Sequence, residues 1–431
     1  MEQSIEDIWK NRDLIEQIQT RRLTEMLEAI IPRNRFYTTK YAAAGIDIDD
    51  IHTLEDLRAL PVTTKQELVD SQAQQPPYGA NLSFPSTAYT RLHQTSGTTG
   101  RPMRWLDTTD SWDWIMECWR QIYLLAGLTK DDRLFFPFSF GPFIGFWAAF
   151  EGASRLENFV IAGGGMSTSI RLQAMIENEA TVVCCTPTYA LRMAEVAAEE
   201  GVNLQESSVR MLIVAGEPGG AIPATRSRIE SAWDARVIDH WGMTEIASLG
   251  VESEDRPGGM YLLETEVIAE IVDPETLEPV AAGEVGELLI TNLGRIGSPL
   301  IRYRTRDLVQ AGTDKGPDER ELLWLPGGIL GRSDDMVTVR GNNVFPSSIE
   351  AVLREIDDVA EFRIDVKTVR SMHELCITVE PAAAAADRAE ELAKTVGDSL
   401  RKRLGFACEV RTAEPGQLPR FELKGRRFFR E

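Results

Sequence analysis

The chain has 431 residues, 43% of them hydrophobic, and a net charge of −21 from 46 basic and 67 acidic side chains. That length predicts two or three domains, and the apolar fraction is ample for their cores. So acidic a chain repels nucleic acid and anionic membrane surfaces, which excludes both as partners and points to small molecules. Five scattered cysteines (Cys118, Cys184, Cys185, Cys376, Cys408) form no CxxC pair. They read as reduced core thiols of a cytoplasmic protein. His52, His93, His240 and His373 show no zinc-ligand spacing with them. A homodimer is the default expectation for assembly.

The first residues, MEQSIEDIWKNRDLIEQIQTRR, lack a basic segment followed by an apolar one, so no signal peptide is expected. Apolar residues at three- and four-residue steps predict helices through about residue 70. Leu134 to Phe150 is uncharged over seventeen residues, but two prolines and two glycines interrupt it. A strand, a turn and a helix start are expected there rather than a membrane span. TVVCCTP (181–187) reads as a buried strand, and YALRMAEVAAEEG as a helix ending at Gly201. VRMLIVAGEPGG (209–220) is a strand entering a glycine turn, and RVIDHWGMTEI (236–246) a strand and loop. This alternation predicts an α/β fold with mostly parallel sheets flanked by helices. After about 260 the pattern changes to two strand-like runs joined by turn residues, a small β-rich subdomain. From Gly331 the order strand, helix, strand, strand, helix, strand predicts a small α+β module. The polar GRSDDM (331–336) is the candidate boundary, dividing 1–331 from 332–431.

Three stretches carry chemistry. HQTSGTTGRPMRW (93–105) sets hydroxyls and glycines beside Arg101, a composition that offers main-chain amides to phosphate oxygens. It lacks the P-loop spacing. In DHWGMTEIAS, Glu245 sits four residues after Trp241 on a loop leaving a strand. A carboxylate there suits Mg²⁺ bridging substrate phosphates, and the aromatic face suits a base. Asp307, in PLIRYRTRDLV, has the basic and aromatic setting of an acceptor for ribose hydroxyls.

TSGTTGRP, GEP, WGMTE, YRTRDL, GRSDDMVTVRGNNVFPSSIE and LPRFELKGRR occur in that order. The set resembles the adenylate-forming enzymes (acyl-CoA synthetases, peptide-synthetase adenylation domains, luciferases), and within them the phenylacetate-CoA ligase branch. The resemblance runs from TTKQEL (63–68) to Lys424. It implies an ATP- and Mg²⁺-dependent ligase that activates an arylacetic or benzoic acid as acyl-AMP and passes it to CoA. It also implies roles. Thr95, Ser96, Gly97, Thr98, Thr99 and Gly100 would wrap the β- and γ-phosphates. Glu245 would bind Mg²⁺, with Thr244 beside the α-phosphate. Gly216, Glu217 and Pro218 would line the adenine side, with Asp239, His240, Trp241 and Gly242 completing the nucleotide site. Trp241 would stack on the base, and Asp239 would face the adenine amino group. Asp307 and Arg332 would hold the ribose. Asp334 would be the hinge of a mobile C-terminal domain, and Lys424 the catalytic ammonium. Phe140, Phe143, Ala215 and Ile246 are the acyl-pocket candidates.

Three features depart from the family pattern. Arg101 replaces a lysine, Trp241 a tyrosine, and AGGGMSTSIR (162–171) lacks the usual asparagine-bearing form, with Met166 and Ser167 in its place. These leave the acid open. Two other readings stand beside the ligase. One is a CoA-independent enzyme passing the activated acid, or nitrite, to an amine or carrier protein. The other is a non-catalytic nucleotide-binding protein.

Overall fold

Side-chain caps decide where the leading helices begin. Ser4, Asn11, Asn34 and Thr64 each accept from the main-chain N–H three residues on. Each satisfies a donor that the first turn leaves without a partner. Thr64 and Glu67 complete a reciprocal capping box. The helices run Ile5–Trp9, Arg12–Ile30, Arg35–Ala44 and Lys65–Gln74, in the region where the periodicity predicts them.

The structure is a computed structural model that describes residues 3–95, 102–314, 316, 319–339, 342–369, 372–422 and 424–430. The chain packs into two units. The first comprises Met1–Gly165, Ala180–Cys184 and Ile238–Leu330; the second comprises Met166–Glu179, Cys185–Val237 and Gly331–Glu431.

In the first unit, strand Arg133–Phe136 runs parallel to Phe159–Ala162 and to Val182–Cys185. Val182–Cys185 is apolar and buried throughout, as a parallel strand covered on both faces must be. Helix Ile144–Arg155 makes the crossover after Arg133–Phe136. The uncharged run thus resolves into strand, turn and helix. Among the described residues, no helix is long and apolar enough to cross a membrane. Strands Arg236–Met243, Ala247–Ser253, Arg256–Leu262 and Trp324–Pro326 pair antiparallel in succession. A separate antiparallel meander joins Val267–Val272, Val285–Asn292 and Tyr303–Gln310, where the turn chemistry after 260 predicts it. Residues of Tyr303–Gln310 alternate, so Tyr303, Thr305, Asp307 and Val309 are buried. The leading helices pack Leu23, Met26, Leu27 and Ile30 with Ile268, Leu293 and Ile301 of this meander region.

In the second unit, strand Val359–Val369 is antiparallel to Met372–Pro381 and parallel to Phe428–Arg430. Glu409–Thr412 extends the sheet beside Met372–Pro381. Helices Pro346–Arg354 and Ala389–Leu404 supply Ile349, Val352, Leu353, Val396 and Leu400 to a core with Phe362, Ile364 and Ile377. Among the described residues this is the expected α+β order with two short strands added, Asn342–Val344 and Phe428–Arg430. Phe428–Arg430 spans three residues, too few to reveal a period. The same unit holds helices Thr168–Glu177, Pro187–Glu199 and Pro223–Trp233 and strand Met211–Ala215.

Candidate active site

Glu245 lies in a tight reversal of the first unit. Gly242 pairs with Ser248 and Met243 with Ala247, leaving Thr244, Glu245 and Ile246 as the loop. Ala247 closes it at a φ of 70°. All three loop carbonyls are held from outside. Asn292 Nδ2 donates to Ile246 O at 2.8 Å. Arg295 Nη1 donates to Thr244 O at 2.8 Å and to Glu245 O at 2.9 Å. The Glu245 side chain is buried, with Lys65 Nζ 3.3 Å from its Oε1.

The other side of Arg295 grips Asp107 bidentately, Nε to Oδ1 at 2.7 Å and Nη2 to Oδ2 at 2.8 Å. Both side chains are 0% exposed. Burial alone would raise the Asp107 carboxyl, but the charge and hydrogen bonds of Arg295, with His93 nearby, hold it below the usual range. Asp107 belongs to strand Arg104–Thr108, which pairs antiparallel with Tyr89–Gln94. His93 on that partner strand brings Nδ1 to 3.6 Å from Asp107 and stacks on Trp112. Thr95 closes the hairpin. Its N–H donates to Met103 O and its hydroxyl accepts from Met103 N, both at 3.0 Å. Ser96, Gly97, Thr98, Thr99, Gly100 and Arg101 lie outside the described residues. One guanidinium therefore ties the stem of the glycine loop to the Glu245 turn. Sequence reading missed Arg295, Asp107 and Lys65. For Arg295 the signal was a lone arginine in the otherwise uncharged TNLGRIGSPLI, and Lys65 sits within TTKQEL.

The structure also brings Trp241 and Asp307 together. The indole N–H donates to Asp307 Oδ2 at 2.9 Å, and both residues are buried. The tryptophan at the position of the family's tyrosine thus makes its hydrogen bond through its ring nitrogen. Asp307 N donates to Thr305 Oγ1 at 3.0 Å. Asp239 is half-buried, its N–H bound to Glu252. His240 points into the core against Trp119, and neither ring nitrogen has a hydrogen-bond partner among the described residues. Burial lowers its pKa to about 4. Phe140 and Phe143 are half-buried in a cluster with Phe138, Phe146, Trp147 and Phe150. Ile246 is 0% exposed.

The second unit holds the remaining candidates. Gly216 follows strand Met211–Ala215 with a φ of 95°. Lys424 lies over it, and a Cβ on Gly216 would meet Lys424 Cε at 3.0 Å. Glu217 binds main-chain N–H groups of Thr188 and Gly425. Ala215 is half-buried and Pro218 exposed. Arg332 and Asp334 pair with each other bidentately, at 3.0 Å for both bonds. Arg430 donates to the carbonyls of Asp334 and Asp335.

A fold of this kind is that of the adenylate-forming ligases. Residues 47–294 match the AMP-binding enzyme family, and residues 341–431 match the AMP-binding enzyme C-terminal domain. The chain is 32% identical to phenylacetate-coenzyme A ligase of Escherichia coli (strain K12), over 97% of its own length and 95% of that protein. It is 31% identical to phenylacetate-coenzyme A ligase of Pseudomonas putida, over 96% and 93%. The solved structure of 2-hydroxyisobutyryl-CoA ligase in the postadenylation state with 2-HIB-AMP matches with a TM-score of 0.90 and 29% identity, covering 97% of this chain and 89% of that one. The chain belongs to the AMP-binding enzyme family, close to its phenylacetate-CoA ligase members.

Asp107→Asn leaves Arg295 buried without its counter-charge and is expected to cost about 3–5 kcal/mol in chemical denaturation. The Asp107 carboxyl is depressed in the folded state, so its contribution is present above the unfolded value, near pH ~4, and is lost as pH falls through the lower folded value. The variant should lack that acid limb. His240 has the same sign in a different window. Its stabilising neutrality is complete above its unfolded pKa of ~6.5 and is lost as pH falls toward the folded value of about 4. His240→Phe should flatten the stability profile across that interval.

Proposed function

We propose that this ligase joins a carboxylic acid to AMP, releasing pyrophosphate, and then transfers the acyl group to coenzyme A. A carboxylate oxygen of the acid attacks the α-phosphorus of ATP. The CoA sulfur then attacks the acyl carbon and AMP leaves. The observation that carries this reading is near-full-length similarity to phenylacetate-CoA ligases, together with Lys424 lying over the Gly216 turn. In the proposed first step, the ammonium of Lys424 stabilises negative charge growing on the phosphoryl group.

Mg²⁺ enters this reading with the nucleotide. Among the described residues, no group of three or more His, Cys, Asp or Glu side chains can hold a metal ion. The single Glu245 carboxylate fits an ion whose other ligands are phosphate oxygens and water. Such an ion neutralises phosphate charge when bound. Lys65, already beside Glu245, adds a second cation on that side.

The acid is proposed to be aromatic. Support comes from the resemblance to phenylacetate-CoA ligases and from the cluster around Phe140 and Phe143, whose rings suit an aryl group. The C-terminal domain, 332–431, is proposed to turn about Asp334 between the half-reactions, exchanging Lys424 for the Arg340–Phe345 segment, of which Arg340 and Gly341 lie outside the described residues.

Pyrophosphate exchange across arylacetic, benzoic and small hydroxy acids tests the first step. Exchange is expected with aryl acids, and product mass with CoA, an amine or nitrite then identifies the acceptor. Lys424→Ala should slow acyl-AMP formation by about 10²-fold or more. Undiminished acyl-AMP formation in that variant would sink the mechanism. Asp334→Pro should spare one half-reaction and impair the other, and equal loss of both would remove the hinge.

A further inference from the structure

The Glu217 carboxylate grips two main-chain amides. One oxygen accepts from Thr188 N–H at 2.8 Å and the other from Gly425 N–H at 2.6 Å. Thr188 is the second residue of helix Pro187–Glu199, so its N–H has no acceptor inside the helix. The positive helix end also favours an anion at this point. One oxygen of Glu217 is thus fixed by secondary structure. The other is left to hold the residue that follows Lys424.

The far side of the same turn is held by a second set of bonds. Arg427 pairs bidentately with Glu361, at 2.6 and 2.8 Å, and donates to Thr188 Oγ1 at 3.0 Å. Gly425 fits under that guanidinium; a Cβ there would meet Arg427 Nη1 at 1.8 Å. Thr188 therefore anchors the turn twice, through Glu217 on one side and Arg427 on the other. Lys424 itself is exposed, and its flexible stem lies over Gly216. A lysine carries its ammonium on a flexible four-carbon stem. Where its ammonium spends its time depends on how well its main chain is held.

We propose that Glu217 is a positioning residue for Lys424. Its carboxylate holds the Lys424–Gly425 turn and so sets the ammonium for adenylate formation. This rests on the adenylating reading above and goes beyond it, because the resemblance puts Glu217 on the adenine side only. Glutamine at 217 supplies one carbonyl oxygen for two N–H donors and turns its own N–H groups against the second.

The test measures acyl-AMP formation in single turnovers, and thioester formation from supplied acyl-AMP. The proteins are wild type, Glu217→Gln, Lys424→Ala and the double variant. Glu217→Gln is expected to slow acyl-AMP formation about tenfold or more, in kcat rather than in KM for ATP. The drop should be several times larger than any change in thioester formation. In the Lys424→Ala background the same substitution should cost nothing further, since the group it positions is gone. Equal slowing of both half-reactions, or the same added factor in the Lys424→Ala background, overturns the positioning role. So does an unchanged rate. A wild type that forms no adenylate with any acid overturns instead the reading of function on which the role depends.

Discussion

The buried pair between Arg295 and Asp107 constrains the first unit more than any other interaction described. A guanidinium and a carboxylate with no exposed surface lose several kcal/mol of hydration each, so both must be fully bonded to persist. Arg295 meets that demand with two bonds to Asp107 and two to the carbonyls of Thr244 and Glu245. The same four bonds make the geometry. Asp107 fixes the hairpin whose end Thr95 closes, and the carbonyls fix the loop from which Glu245 projects. Two pieces of chain that meet a nucleotide in the proposed reaction thus share one rigid joint.

The second unit solves a similar problem differently. Its tail carries a lysine that the proposed reaction needs in its first step and not in its second. Deep burial would hold it too well. Its neighbours are therefore held through main-chain amides and through Arg427 with Glu361, while the lysine itself is exposed. Burial would raise the Glu361 carboxyl, yet hydrogen bonds and charge from Arg427 hold it below its ordinary range. That pair remains charged and anchors the tail near neutral pH.

Local signals carried much of this architecture. Three- and four-residue steps marked the leading helices, and alternating segments marked the α+β module, because both depend on neighbours in sequence. Glu245, Asp307 and Lys424 stood out because their flanking residues form recognisable strings. Long-range pairs were not legible. Arg295 and Asp107 are 188 positions apart, and Trp241 reaches Asp307 across 66. Nothing in a linear string states that an indole nitrogen will meet a carboxylate from another sheet. Glu217 shows the same limit. Its tripeptide marked a turn, while its partners lie on a helix end and in the tail.

The grip on the tail has a practical consequence. Glu217 recognises peptide groups, and peptide groups are common to every amino acid except proline at the donor position. The clasp is therefore indifferent to which side chain residue 424 bears. Replacing that side chain subtracts its charge and leaves the surrounding backbone arrangement in place. Changes confined to position 424 thus remove its charge and its packing over Gly216 without touching the groups that make the clasp, a separation of side chain from architecture that few substitutions offer.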